Sequence, residues 1–273
     1  MILRNALDSL AAVLFPAPCR ICARTLANAS RIPVCEACLE GFERIAEPMC
    51  VGCGRSFESE VALEAIEPKC RLCRAGFYAF DRARSFARYD DALSEAIVLL
   101  KYEEVGRLGD WFAERLAEIV ARAPADWTAD VVVPVPLHRE RRRERGYNQA
   151  ELIARPLARR LKLKLDKRVL VRTKPRPARL VLSRTEHWKS VRGAYAIREG
   201  ARVDKLRVLL VDDVLTTGAT LDACARALKK AGAAAVLGLT VARVRSWAVA
   251  PGAATQAGSS RGRSKPDSSS EHL

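Results

Sequence analysis

Apolar residues follow two patterns along this chain, and each pattern predicts one type of secondary structure. Runs rich in apolar residues are typical of sheet strands, and strands predicted in this way lie at residues 83–89, 130–136, 208–214 and 235–244. Apolar residues three or four positions apart indicate helices, which are predicted at residues 93–100, 112–120 and 221–231. This alternation, which begins near Phe80, predicts an α/β domain with a twisted, mostly parallel sheet and helices on both faces.

The two ends of the chain lack this alternation. Residues 1–15 place their apolar side chains on one helical face, so we predict an N-terminal docking helix over residues 1–18. Asp8 interrupts the apolar run and argues against a signal peptide. Residues 247–273 are rich in Gly, Ser, Pro and Ala and are predicted to be disordered. No run approaches the ~20 apolar residues of a membrane span, so we expect a cytoplasmic protein.

The first candidate site is a strand that ends in two carboxylates and a hydroxyl-rich loop. Asp212 and Asp213 interrupt the apolar run, and after Val214 and Leu215 the chain continues with Thr216, Thr217, Gly218, Ala219 and Thr220. Helical spacing resumes at Leu221, so the loop would lie at a helix N-terminus, where unpaired N–H groups bind anions. The loop is therefore predicted to bind a phosphomonoester. Since carboxylates repel phosphate, ribose hydroxyls are the expected partners of the acidic pair.

A second candidate anion site follows the strand at residues 130–136. Residues 138–147 are predicted to form a basic loop, and Asn148 with Glu151 resembles the capping box of the next helix. Such a loop lies at the carboxyl edge of the sheet, where doubly wound folds bind ligands. Guanidinium groups there suit a pyrophosphate. The candidate residues are His138, Arg139, Arg145, Gly146, Tyr147 and Asn148.

Eight of the nine cysteines form four CxxC pairs: Cys19 and Cys22, Cys35 and Cys38, Cys50 and Cys53, Cys70 and Cys73. Two CxxC pairs supply the four thiolates of a tetrahedral zinc site. We therefore predict two structural Zn²⁺ sites with the pairs joined in sequence, and an interleaved pairing is the alternative. Disulfides or redox chemistry are the weaker interpretation, because nothing marks the chain for export.

The net charge of +15 predicts anionic partners, either phosphorylated metabolites or nucleic acid. Residues 138–192 contain 19 Lys or Arg but only 5 Asp or Glu, so the excess surrounds the second candidate site and the segment that follows it. Single-stranded DNA would be attracted to such a surface. Aromatic residues for base stacking are sparse there.

Three of these features together resemble a known family. The sequence VDDVLTTGAT at residues 211–220 is similar to the 5-phosphoribosyl-1-pyrophosphate (PRPP) signature of type I phosphoribosyltransferases. Four CxxC pairs, then RGYNQ at residues 145–149, then this signature resemble the ComF/GntX family over roughly residues 8–245. Proteins of that family are associated with competence and DNA uptake.

The resemblance implies a double zinc ribbon at residues 19–79 and a type I phosphoribosyltransferase-like domain at residues 80–246. Asp212 and Asp213 would be the catalytic pair on the ribose, the threonine loop would hold the 5-phosphate, and residues 138–148 would hold the pyrophosphate. The implied reaction transfers phosphoribosyl from PRPP to an unknown acceptor, while Mg²⁺ neutralises the departing pyrophosphate.

The segment that would close over the substrate departs from the family. It comprises residues 172–185, and His187 and Ser190 then occupy the positions where the family has Arg and Asn. The alternative is therefore a non-catalytic competence factor that binds PRPP or single-stranded DNA. In the resembling family a lysine near Lys101 approaches the ligand, and a solvated surface position is the other interpretation of this residue.

Overall fold

The predicted parallel sheet is present in the computed structural model, which describes residues 17–26, 32–57, 68–103, 105–125, 127–175 and 183–245. The strands are β1 (Arg82–Arg88), β2 (Val131–Pro134), β3 (Lys164–Leu165), β4 (Leu170–Arg172), β5 (Tyr195–Ile197), β6 (Arg207–Leu215) and β7 (Ala235–Arg243). Five of them form one parallel sheet in the order β1-β7-β6-β2-β3, while β4 and β5 form an antiparallel pair. The predicted tail and the predicted docking helix, except its last two positions, lie outside the described residues.

The central strand β6 is buried along nearly its whole length, as its apolar run predicts. Its side chains alternate between the two faces of the sheet. Leu209 and Val211 belong to one hydrophobic cluster, and Val208 and Leu210 belong to another on the opposite face. The sheet is therefore covered on both sides, as expected for parallel strands joined by helices.

The helices of the described residues are α1 (Glu36–Glu40), α2 (Arg71–Arg74), α3 (Asp91–Tyr102), α4 (Gly106–Arg122), α5 (Arg139–Arg145), α6 (Gln149–Leu161), α7 (Arg184–Val191) and α8 (Ala219–Lys230). Helices α3, α4 and α6 pack in the first cluster, and α8 packs in the second with the β4-β5 pair. Within these residues, every helix is too short or too polar to cross a membrane.

The prediction of a basic loop over residues 138–147 is wrong, because most of that stretch forms helix α5. Arginine and glutamate are strong helix formers, and here they follow one another without interruption. Gly146, with a φ of 83°, ends the helix in a conformation that glycine adopts without strain. His138, Arg139 and Arg145 therefore lie on a short helix or directly before it, rather than on a flexible loop.

The cysteine-rich segment packs along the outer edge of β1. The backbone N–H of Ala83 donates to the Gly52 carbonyl at 2.7 Å, and the N–H of Ile45 donates to the Phe86 carbonyl at 3.1 Å. These hydrogen bonds satisfy backbone groups that an edge strand otherwise leaves unpaired. The segment thus closes one side of the sheet.

Candidate active site and metal centres

The eight paired cysteines gather into two groups of four, namely Cys19, Cys22, Cys35 and Cys38, and Cys50, Cys53, Cys70 and Cys73. The sulfur atoms of each group all lie within 4.8 Å of one another. The Sγ atoms of Cys22 and Cys35 are 3.7 Å apart, as are those of Cys53 and Cys70. Four sulfurs bound at about 2.3 Å to a tetrahedral zinc are about 3.8 Å apart. Both groups therefore fit zinc, and the sequential pairing is confirmed.

Backbone amides also point at the sulfur atoms. The N–H of Cys35 donates to Cys19 Sγ and the N–H of Cys70 donates to Cys50 Sγ, each at 3.3 Å. Such bonds favour the thiolate form that metal binding requires. A zinc ion bound by all four cysteines of either group would have no coordination position open for catalysis, so both groups fit structural rather than catalytic zinc.

The acidic pair lies near the carboxyl end of the central strand β6. Asp212 is 8% exposed and Asp213 is 5% exposed. Helix α3 ends beside them, and Lys101 Nζ lies 2.6 Å from Asp213 Oδ2. Lys101 is thus an ion-pair partner of the site, and the solvated interpretation of this residue is wrong.

The two carboxyls have opposite pKa shifts although both are buried. Burial and the neighbouring negative charge of Asp213 raise the pKa of Asp212 well above its ordinary value. Burial also acts to raise the pKa of Asp213, but the charge of Lys101 and its hydrogen bond outweigh this and lower it. The pair therefore holds one firm negative charge and one carboxyl that gains a proton readily.

The threonine loop connects β6 to the N-terminus of α8, as predicted. Gly218 has a φ of 85°, and a Cβ there would lie 2.7 Å from Cε1 of Tyr78. Glycine is thus required both by the backbone and by the tyrosine ring above it. The Tyr78 hydroxyl donates to the Thr217 carbonyl at 3.2 Å, and burial raises its pKa to about 12.

The Thr217 hydroxyl is the buried centre of this loop. It accepts from the Ala219 N–H at 3.2 Å, and His187 Nδ1 lies 2.9 Å from it. His187 comes from α7, whose first turn has a complete capping box between Ser183 and Glu186. Within the expected closing segment, residues 176–182 lie outside the described part, and the residues from Arg184 onward form a helix that contacts the threonine loop through His187.

The basic helix α5 presents its arginines in two ways. Arg139, Arg141 and Arg143 are exposed, whereas Arg142 forms an ion pair with Glu151 of α6. Glu151 therefore does not complete the predicted capping box. Asn148 does cap α6, because its side chain accepts from the Ala150 N–H at 3.1 Å.

Helix α5 meets the end of α3 beside the acidic pair. The Tyr147 hydroxyl donates to the Leu100 carbonyl at 3.1 Å. The Arg145 guanidinium lies over the ring of Tyr102, 4.8 Å from its centroid, and Tyr102 is 62% exposed. Since Lys101 is bound to Asp213, the structure brings the acidic pair, the end of α3 and the basic helix to one edge of the sheet.

Sequence reasoning missed Tyr78, which only the folded chain brings to the threonine loop. No local pattern marks it, because it lies between the cysteine-rich segment and β1 among other aromatic residues. Lys101 could have been favoured, since it lies in the last turn of a predicted helix that ends at the same edge as β6.

Two family models match this chain. A double zinc ribbon domain matches residues 10–75, and a phosphoribosyl transferase domain matches residues 112–255, which is more than half of the chain. The chain belongs to the phosphoribosyltransferase domain family. The chain thus combines a phosphoribosyltransferase domain with a double zinc ribbon, which is the combination that the ComF/GntX resemblance implies.

Relatives of this phosphoribosyltransferase-family chain include proteins named for competence and DNA use. It is 27% identical to Competence protein F of Haemophilus influenzae over 73% of its own length and 85% of the relative's. It is 28% identical to Competence protein ComFC of Bacillus subtilis, over 74% and 80% of the two chains. It is also 28% identical to DNA utilization protein YhgH of Escherichia coli, over 81% and 94%.

Among solved structures, the phosphoribosyltransferase-family chain is similar to adenine phosphoribosyltransferase from Leishmania tarentolae. The match has 14% identity and a TM-score of 0.33, and covers 59% of this chain and 78% of that one. The parallel sheet and the family match show the fold.

Proposed function

We propose that this protein binds PRPP at the carboxyl edge of its sheet and transfers the phosphoribosyl group to an unknown acceptor with release of pyrophosphate. One observation carries the proposal: the buried pair Asp212 and Asp213 lies three positions before residues 216–220, which lead from the end of β6 into the N-terminus of α8. Acceptors for ribose hydroxyls and donors for a phosphate thus follow one another along one segment. The link to competence and DNA use comes to this chain from its relatives' names alone.

The two ends of PRPP would meet different chemistry. The 5-phosphate would bind the backbone N–H groups and hydroxyls of Thr216, Thr217 and Thr220, with Gly218 and Ala219 allowing close approach. Asp213, held as a carboxylate by Lys101, would accept from a ribose hydroxyl and favour positive charge at the anomeric carbon.

The pyrophosphate would lie toward α5, near the residues His138, Arg139, Arg145, Gly146, Tyr147 and Asn148. Among these, Arg145 and Tyr147 contact Tyr102 and Leu100, the two sequence neighbours of Lys101, which pairs with Asp213. Mg²⁺ prefers carboxylate and phosphate oxygens, so Asp212 and the substrate's own phosphates fit it, and it would neutralise charge on the leaving group. The expected location of this activity is the cytoplasm.

The test is calorimetric titration of the zinc-loaded protein with PRPP and Mg²⁺. Binding at micromolar concentrations is expected for the parent protein, and its loss is expected when Asp212→Asn and Asp213→Asn are combined. Glu199→Gln, which changes an exposed carboxylate in a turn, is the control and should bind as the parent does. Unchanged binding by the double variant would overturn the proposed site, and pyrophosphate release in an acceptor screen would establish transfer.

The alternative is a non-catalytic protein that binds PRPP or single-stranded DNA, and the surface of α5 favours the DNA form of it. Arg139, Arg141 and Arg143 are exposed on one short helix, and the exposed ring of Tyr102 beside Arg145 offers a face on which a base could stack. Arginines and one aromatic ring are the usual elements of single-strand binding.

This alternative is tested by the salt dependence of binding to a labelled oligonucleotide. Log affinity falls as log salt rises, and changing Arg139, Arg141 and Arg143 together to Gln should make this slope shallower by about 2. A variant with Arg24, Arg122 and Arg202 changed to Gln removes the same charge from other exposed positions and should keep the slope. Equal slopes for the two variants would contradict a DNA site on α5.

A further inference from the structure

A buried arginine of the sheet contacts the second cysteine cluster. Arg243, the last residue of β7, is 5% exposed. Its Nη1 donates to the Cys53 carbonyl, and its Nη2 lies 3.5 Å from Cys53 Sγ. The two residues are 190 positions apart in the sequence. A cation of the parallel sheet is therefore held against a metal-ligand sulfur of the zinc ribbon.

The charges of the two groups are complementary. Zinc bound by four thiolates leaves two negative charges uncompensated, and the cluster of Cys50, Cys53, Cys70 and Cys73 is half-buried to buried. A guanidinium is always protonated, and a buried one is costly without an anionic partner. Each group thus offsets the burial cost of the other, but only when the thiolates carry their charge.

The first cluster offers a natural comparison. Arg20 lies inside its first CxxC pair, yet both of its terminal nitrogens reach Glu103, at 2.6 and 2.8 Å. The Arg20 side chain is 49% exposed, so water screens its charge. Arg20 is thus exposed and paired with a carboxylate, whereas Arg243 is buried against a cluster cysteine.

The contact lies close to the candidate site. In the register of β6 and β7, Arg243 pairs with Leu215, the last residue of β6, and the threonine loop begins at the next position. Tyr78, five residues after Cys73, reaches the same loop through the Thr217 carbonyl. The second cluster is thus linked at two points to the strand and loop that carry the candidate site.

We propose that Arg243 is a positioning residue that neutralises the loaded second cluster and thereby couples its zinc to the end of the central sheet. The coupling acts in both directions. The free energy by which the arginine strengthens zinc binding equals the free energy by which bound zinc stabilises the end of the sheet. Arg243 does not touch substrate in this role, and the proposal holds whether or not the protein is a transferase.

The test is zinc transfer from the purified full-length protein to a chromophoric chelator. Arg243→Gln should weaken one of the two zinc sites by about 10- to 100-fold, the usual effect of removing a residue that orients or neutralises a metal ligand. The other site should be unchanged, and Arg20→Gln should leave both sites unchanged. Two sites with parent affinity in Arg243→Gln, or equal weakening of both, would overturn the proposal.

A second measurement separates coupling from a merely structural contact with the Cys53 carbonyl. The melting temperature of Arg243→Gln should fall below that of the parent when zinc is bound, and the difference should shrink after chelation. A difference of the same size with and without zinc would overturn the coupling.

If the glutamine variant does not fold, Arg243→Lys serves instead, because it keeps the charge but cannot donate to both atoms with the same geometry. Its zinc affinity at the second site should be lower than that of the parent, and an affinity equal to the parent's would count against the guanidinium contact.

Discussion

The ion pair between Lys101 and Asp213 provides the sharpest test of the candidate site. Replacing Lys101 by Met keeps the helix-forming, unbranched side chain and removes the charge 2.6 Å from Asp213 Oδ2. Asp213 would then be a buried carboxylate beside a second carboxyl, with its main cationic partner gone. Because three quarters of the Lys101 side chain and nearly all of Asp213 are buried, the pair belongs to the buried class.

Breaking a buried ion pair by removing one partner costs about 3–5 kcal/mol. The partial exposure of Lys101 favours the lower end, so we expect a loss of about 3 kcal/mol in the free energy of unfolding at neutral pH. Lys229→Met is the matched control, because Lys229 Nζ also lies 2.6 Å from a carboxylate, that of Asp81, but both side chains are over a third exposed. Its expected cost is below about 1 kcal/mol.

The stabilising effect of Lys101 should depend on pH in a defined direction. Lys101 lowers the pKa of Asp213 in the folded protein, so its stabilising effect is fully present above the pKa of an unfolded aspartate. The effect is lost as the pH falls through the folded-state pKa. The stability difference between parent and Lys101→Met should therefore be largest at neutral pH and should shrink in acid.

The assay is denaturant unfolding of the zinc-loaded proteins from neutral to acidic pH, combined in a double-mutant cycle with Asp213→Asn. In the Asp213→Asn background, Lys101→Met should cost little, since the charge it faces is already absent. An equal cost in both backgrounds would refute the argument, as would a loss within the range of the Lys229→Met control.

Three further outcomes are expected. Gly218→Ala should lower both the melting temperature and PRPP affinity, because its φ of 85° and the Tyr78 ring oppose a Cβ. Gly200→Ala is the control, because Gly200 has a φ of 77° but open space around it, and it should lower the melting temperature less. Equal losses in melting temperature would contradict a role for the ring. Metal analysis of reduced, dialysed protein should find two zinc ions per chain, and chelation should lower the melting temperature, whereas one ion or none would mean that a cluster does not bind metal. Ser183→Ala should cost about 1 kcal/mol and speed amide exchange in α7 but not in β6, and unchanged exchange in α7 would show that the capping box does not hold this helix.

Local patterns were enough to locate four of the five strands of the main sheet and most of the candidate site, whereas the two-residue strand β3 was not predicted. The apolar run of β6, the acidic pair and the glycine of the threonine loop are neighbours in sequence, so their order alone predicts a strand, a loop and a helix N-terminus. The CxxC spacing likewise fixed the ligands, because two cysteines three positions apart can share one metal only on a tight turn. The basic stretch was misread because a positively charged surface and a short helix of arginine and glutamate have the same composition.

Partners distant in sequence were decided by tertiary structure alone. The sequence by itself determined where the carboxylates, thiolates and threonine loop lie on their own elements, since hydrophobic period, turn residues and cysteine spacing act over a few positions. Only the folded chain decided that Lys101 faces Asp213, that Tyr78 covers Gly218 and that Arg243 reaches Cys53. Such contacts depend on the order of the strands and on which helices cross them, and those are set by burial of the whole sheet rather than by any local pattern.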